Sequence, residues 1–153
     1  MLFTPARLNL YTFFKLPSVW WCGVRVTQIK PDYCEVRVTH RWINQNPFRS
    51  MFWAVQGMAA ELSTGILIMQ AIKKHKKNIS MLVLNNRANF SKKAKGKLVF
   101  NCTAEEKINT AFKKLIDSNT PQTLWLTSKG VDENQDTVST FEFEWTLSLK
   151  NKI

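Results

Sequence analysis

The sequence predicts an α+β domain in which a largely antiparallel sheet of about six strands wraps around one long apolar helix. Three observations carry this. The stretch from Met51 to about Lys74 lacks proline and is apolar nearly all round, so it reads as a buried helix roughly 36 Å long. Phe141, Phe143, Trp145, Leu147 and Leu149 alternate strictly with polar or small residues, which marks a strand with one face on a core. Helical segments do not alternate regularly with strands, which argues against a doubly wound parallel sheet. With 153 residues, 44% hydrophobic and 22% charged, the chain is expected to form one domain, 1–153.

Residues 1–22 read as an amphipathic lead-in. Leu8, Leu10, Phe13, Phe14, Trp20 and Trp21 can cover an apolar edge, and Pro17 interrupts any continuous helix. Val24–Ile29 and Cys34–Thr39 alternate on either side of the Pro31-Asp32 turn signal, which makes a hairpin. Asn46 followed by Pro47 fits the cap and first position of the long helix, with Ser50 as a rival cap. Lys73, Lys74, Lys76 and Lys77 suit the negative end of that helix's dipole. An extended run continues from Ile79 through Phe90; a basic turn, Ser91–Gly96, leads to a strand at Lys97–Cys102. Thr103-Ala-Glu-Glu106 is a capping box that opens a short second helix to about Asp117, with Ile108, Ala111, Phe112 and Leu115 as its apolar stripe. Leu124–Lys129 is a strand, and Gly130–Asp136 is a polar loop before the alternating segment.

Charge is the unusual property. Lys and Arg number 22 against 11 Asp and Glu, a formal net of +11. Nine of the 22 fall between Leu62 and Ala104, a window with no acidic residue: Lys73, Lys74, Lys76, Lys77, Arg87, Lys92, Lys93, Lys95 and Lys97. Such a surplus either keeps a surface soluble or meets an anionic partner.

Several functional classes lose their footing. Cys22, Cys34 and Cys102 have no C-x-x-C spacing, so neither a disulfide framework nor a zinc site follows, and no metal is expected. Buried or half-buried thiols in a reducing, cytoplasmic setting are the plain expectation. Arg7 and Lys15 interrupt any signal-peptide core. Glu61 near the middle of the apolar Met51–Met69 run costs about 2.5–3.5 kcal/mol on insertion, against a stable membrane span. There is no G-x-S-x-G, no glycine-rich phosphate loop and no H-E-x-x-H, and His40 and His75 complete no triad. Aromatic residues are not interleaved with basic ones in a recognisable module, so no nucleic-acid partner is expected.

The long helix bears one anomaly. Gly57, Glu61 and Gly65 share a face at i, i+4 and i+8, extended by Ala54 and Thr64. Two helix-interior glycines, each costing about 1 kcal/mol against alanine, imply close approach of a backbone or ligand around a lone carboxylate. A carboxylate buried there has a raised pKa and is a candidate base. Asn44, Gln45 and Asn46 before the helix and Gln56 on its first turns can orient water or bind a carbonyl oxygen. Ordinary capping accounts for the same amides.

The segment Asn44-Gln-Asn-Pro-Phe-Arg-Ser-Met-Phe-Trp-Ala-Val-Gln-Gly-Met-Ala-Ala-Glu-Leu-Ser-Thr-Gly65 resembles the loop and central helix of hotdog-fold acyl-CoA thioesterases. Those of the phenylacetate-pathway type carry an Asn-containing loop, a His-Gly-Gly helix start and a Leu-Ala-Asp/Glu signature. The sequence is more similar to an uncharacterised hotdog branch with an N-x-N loop and an Ala-Glu-Leu helix. Asn86–Leu98 resembles the family's strand-turn-strand, and the resemblance spans roughly Gly23–Leu149.

The resemblance implies a curved antiparallel sheet wrapped around the helix, and a homodimer or tetramer with its site at the dimer interface. Glu61 falls at the catalytic acid, as base or nucleophile, and Asn46 at the loop residue that positions substrate or water, with Gln56 beside them. Coenzyme A enters only as part of the substrate, and no separate cofactor is required. Its phosphates have a physical counterpart in Arg87, Asn89, Lys92, Lys93 and Lys95. The acyl group is expected along Trp53, Ala54, Gly57 and Met58. One departure is clear: Phe52-Trp53-Ala54 stands where His-Gly-Gly is expected. That departure favours the competing reading, a non-catalytic acyl-CoA or lipid-binding dimer. A third reading is a membrane-surface protein using Lys73–Lys77 and the N-terminal aromatics.

Overall fold

The computed structural model describes residues 3–150; residues 1–2 of the expected lead-in and 151–153 of the expected domain lie outside the described residues. Two helices, α1 (Pro5–Lys15) and α2 (Pro17–Trp21), precede strands β1 (Arg25–Ile29) and β2 (Tyr33–Thr39). A single 3₁₀ turn, Trp42–Asn44, leads through a loop to α3 (Trp53–His75). Then come β3 (Ile79–Phe90), β4 (Lys97–Thr103), α4 (Glu105–Ser118), β5 (Gln122–Val131) and β6 (Thr137–Leu149). The six strands form one antiparallel sheet in the order β1-β2-β4-β5-β6-β3, curved around α3. The α+β reading, the central helix and the β1–β2 hairpin all stand.

The core is the inner face of the sheet against α3. Val36, Leu98, Phe100, Leu126, Phe141, Trp145 and Leu147 point inward from four strands and meet Val55, Ala59, Ala60, Ile66, Leu67 and Ile68 of the helix. α3 has the length and apolarity of a spanning helix, yet 61% of its apolar window is buried inside this fold. Polar groups on the buried seam are paired. Ser63 Oγ donates to the carbonyl of Ala60 (2.7 Å) and lies 2.8 Å from Ser128 Oγ of β5. The indole N–H of Trp145 reaches Thr64 Oγ1 at 3.2 Å. Cys34 and Cys102 are buried and directly paired across β2 and β4, and Cys22 is half-buried.

Several local expectations change. The long helix starts at Trp53 with Phe52 as its cap and no side-chain capping bond, so neither Asn46 nor Ser50 caps it. Asn46 instead organises its own loop: its Oδ1 accepts from the N–H groups of Phe48 (2.9 Å) and Ser50 (3.2 Å). An asparagine that can bond locally competes with the helix for its own backbone, and here the local turn wins. The capping box at Thr103 also fails. Thr103 is the last residue of β4, and α4 begins after Ala104 with no side-chain cap. Cross-strand pairing with Tyr33 holds Thr103 in the sheet.

Ser91–Gly96 does not close a hairpin. β3 pairs with β6, whereas β4 pairs with β2 and β5, so the segment crosses between distant parts of the sheet. The lead-in is two helices parted at Leu16–Pro17, as the proline requires. It covers the β1 edge only in part: Asn9 of α1 bonds both the N–H and the carbonyl of Val26 (2.9 Å each). Leu8 is buried, but Leu10, Phe13, Phe14 and Trp21 are exposed. His75, at the end of α3, stacks on Phe112 of α4 with ring centroids 5.1 Å apart.

Candidate functional site

The loop 45–52 is held at both ends. Met51 N–H bonds the carbonyl of Ala94 (2.8 Å), and Phe52 N–H bonds that of Asn44 (2.8 Å). Buried Asn44 anchors the loop's base, donating to the carbonyls of Cys22 (3.0 Å) and Thr39 (2.9 Å). The loop thereby docks on the 91–96 crossover and forms a cleft of about 310 Å³. Asn46, Trp53, Gln56, Lys92 and Lys93 line it, together with Ser50, Met51, Phe90, Ser91 and Ala94. Five residues singled out in the sequence thus converge from three segments of chain.

Their chemistry is partly committed. Gln56 is only 4% exposed, and its amide is used at both ends: Nε2 donates to Met51 O (3.3 Å) and Oε1 accepts from Ser139 Oγ (2.8 Å). It clamps β6 to the loop. Lys92 Nζ lies 2.6 Å from Asp132 and 2.9 Å from Asp136, and these contacts raise its pKa while holding Asp132 low. Lys93 and Lys95 are exposed. Arg87 lies outside the cleft on β3, where Glu142 of β6 takes it in a two-pronged pair (Nε 2.6 Å, Nη2 3.1 Å) over the Trp125 ring. Asn89, also exposed, lies outside as well and faces Ser91. Two of the five expected phosphate contacts are therefore already neutralised by carboxylates.

Glu61 lines a second recess, of about 190 Å³, beside α3. Met58, Leu62, Gly65, Ile66 and Met69 of α3 line it, with Met81 and Trp145 on one flank and Leu16 and Val19 on the other. Glu61 is exposed rather than buried, which corrects the expectation of a fully enclosed carboxylate. Its surroundings are nevertheless apolar enough that burial pushes its pKa up. No hydrogen bond or ion pair among the described residues reaches its carboxylate. It is an unpaired acid at the mouth of a greasy pocket.

The glycines beside it have a simple cause. A Cβ on Gly57 would meet Phe141 at 3.5 Å, and one on Gly65 would meet Trp145 at 3.3 Å. The close approach comes from β6 aromatics, not from a second backbone. Gly57 therefore faces the core, Ala54 is half-buried, and of the expected acyl-pocket residues Met58 shares the recess with Glu61 while Trp53 lines the other cleft. Sequence reading missed Leu16, Val19, Leu62, Met69 and Met81 as lining residues. The strict alternation of β6 did mark Trp145 as inward-facing. A wider, open groove of about 530 Å³ between α4 and β5 holds none of the candidate residues.

Known structures place this architecture in a class. A protein of unknown function from Pseudomonas aeruginosa, described as a probable thioesterase, has a TM-score of 0.82 at 18% identity, over 97% of this chain and 99% of that one. A thioesterase from Haemophilus influenzae has a TM-score of 0.75 at 14% identity, over 97% of this chain and 93% of that one. A Streptococcus mutans protein solved bound to acetyl-CoA has a TM-score of 0.64 at 11% identity, over 85% and 92%. No curated protein matches the chain. The fold is the hotdog fold, shared with proteins of the thioesterase type. Within it, the chain belongs to the family defined as a domain of unknown function, DUF4442, which matches residues 5–147.

Proposed function

We propose that the protein is an acyl-CoA thioesterase whose working carboxylate is Glu61. The observation that carries this is the recess around Glu61: an unpaired carboxylate of raised pKa at the edge of an apolar pocket of about 190 Å³. An acyl chain gains by leaving water for such a pocket. Its thioester carbonyl then lies beside a group able to take a proton from attacking water, or to attack the carbonyl itself. The likeness to structures described as thioesterases, one of them bound to acetyl-CoA, supports the reading.

The working unit in this reading is a homodimer. β3 is a long edge strand whose outer side has no partner in the sheet, and Leu82 and Leu84 are exposed on it. Pairing two β3 edges joins the sheets and sets the Glu61 recess of one protomer towards the Asn46 cleft of its partner. Within one protomer those residues line separate hollows. Lys93 and Lys95, which form no ion pair among the described residues, are the cations that meet coenzyme A phosphates in this reading.

The decisive experiment is hydrolysis of acyl-CoAs of graded chain length by wild type and Glu61→Ala. Turnover by wild type that is lost in the variant is expected; turnover unchanged in the variant removes Glu61 from the role. A second reading, a dimer that binds acyl-CoA without cleaving it, is favoured by Trp53, a 57%-exposed indole at the helix start. Calorimetric binding without turnover identifies that case.

A further inference from the structure

Helix α1 turns its apolar side outward. Leu10 is 59% exposed and Phe14, one turn later, 69%, while Leu8 and Thr12 face the fold. Phe13 lies edge-on to Phe14 (4.8 Å) and to Trp20 (5.2 Å), which carries the surface across to α2. There Trp21 is 67% exposed, and Trp42 of the 3₁₀ turn is 83% exposed. The two tryptophans belong to one end of the molecule, because the Asn44 side chain bonds the carbonyl of Cys22. Indoles are highly buried on average in folded domains, whereas this end presents two of them.

The same rim is cationic. Arg25 stacks on Trp20 at 3.5 Å, Lys15 follows Phe14, and Arg41 precedes Trp42. No acidic residue occurs before Asp32. Lys15, Arg25 and Arg41 form no ion pair among the described residues. A second copy of the chain fits this surface badly, since a two-fold contact would set the cations against themselves. A nucleic acid would satisfy the charge but leave Leu10 and the outer face of α1 in water. An anionic bilayer satisfies both: its headgroup layer accepts tryptophan, phenylalanine and leucine, and its lipid phosphates meet lysine and arginine.

We propose that this end of the protein docks on an anionic lipid surface, with Leu10, Phe14, Trp21 and Trp42 entering the headgroup layer and Lys15 and Arg41 facing lipid phosphates. The rim shares no residue with the Glu61 recess, although Leu16 and Val19 of the same segment line that recess, so vesicle binding is read without reference to hydrolysis.

The test is sedimentation of the full chain with vesicles of phosphatidylcholine alone, and with about 30 mol% phosphatidylglycerol, at about 150 mM salt. Wild type is expected to sediment with the anionic vesicles and stay in solution with the neutral ones. Phe14→Ser/Trp42→Ser and, separately, Lys15→Glu are each expected to weaken binding by about tenfold. Both alter exposed side chains, and circular dichroism checks folding; Lys15→Glu carries the test alone if the double variant does not fold. The proposal is overturned if wild type ignores anionic vesicles or if both variants bind them as wild type does. It is also overturned if the substitutions change only the oligomeric state, or only binding to a single-stranded oligonucleotide.

Discussion

Gly65 lies against the indole of Trp145 so closely that a Cβ on it would stand 3.3 Å from the ring. The ring has little freedom to retreat, because its N–H is tied to Thr64 Oγ1 on the same helix. Gly57, two turns earlier, faces Phe141 at an ordinary 3.5 Å. The same substitution should therefore act differently at the two sites. Gly57→Ala is expected to stabilise by up to about 1 kcal/mol through helix propensity. Gly65→Ala is expected to lose that gain and to be neutral or destabilising by about 1 kcal/mol, because the ring it meets is tethered and gives way poorly. Urea denaturation of both variants checks the contrast; equal effects would show that the Trp145 contact relaxes freely.

Glu61 links stability to pH. Burial raises its pKa, so folding favours the protonated carboxyl. That contribution is fully present below the ordinary carboxylate pKa of about 4.3 and is lost as pH rises through the raised value. Glu61→Gln removes the loss. Its melting temperature should match wild type at about pH 4 and exceed it increasingly towards neutrality. A parallel pair of melting curves across that range would contradict the raised pKa.

Ser63 and Ser128 test how the helix is pinned to β5. Ser63→Ala leaves the buried Ser128 hydroxyl without its 2.8 Å partner, at a cost of about 1–3 kcal/mol, whereas Ser128→Ala costs less because Ser63 still donates to the Ala60 carbonyl. The double alanine variant should cost less than the two singles together, since no orphaned hydroxyl remains. Thermal denaturation of the three variants measures the coupling.

Arg87 is the strongest-looking phosphate ligand in the sequence and is engaged by Glu142. Arg87→Ala is accordingly expected to change coenzyme A affinity less than Lys93→Ala or Lys95→Ala. Glu142→Gln, which releases Arg87, should raise that affinity by severalfold at low salt. Isothermal titration with coenzyme A ranks the four variants; a loss at Arg87→Ala larger than at either lysine would reverse the assignment.

The sequence was informative where a pattern has one physical solution. Period-two alternation at Phe141–Leu149 can only be a one-sided strand, and the proline-free apolar run can only be a buried helix, so β6 and α3 were legible. Start signals were less so. Asn46 and Thr103 both look like caps, yet one bonds its own turn and the other stays in the sheet, because those local and cross-strand bonds outweigh a cap worth about 1 kcal/mol. Of the candidate site, Asn46 of the loop and Trp53 and Gln56 of the helix start are close in sequence and come together with Lys92 and Lys93 of the crossover. Leu16, Val19 and Met81 were invisible as neighbours of Glu61, because their proximity depends on how α1, α2 and β3 are laid around α3. Whether a lysine is available for a ligand was equally hidden: Asp132 and Asp136 lie some 40 residues from Lys92 in sequence.

The strand order also sets a schedule for synthesis. β3 finds its partner only in β6, roughly 50 to 70 residues further along the chain. At about 5–20 residues per second, the apolar face of β3 and the flank of α3 beside Trp145 wait several seconds before they are covered. A nascent chain stalled after α4 exposes Ile79, Met81 and Val83 before β6 exists to pair them, so β6 closes this sheet.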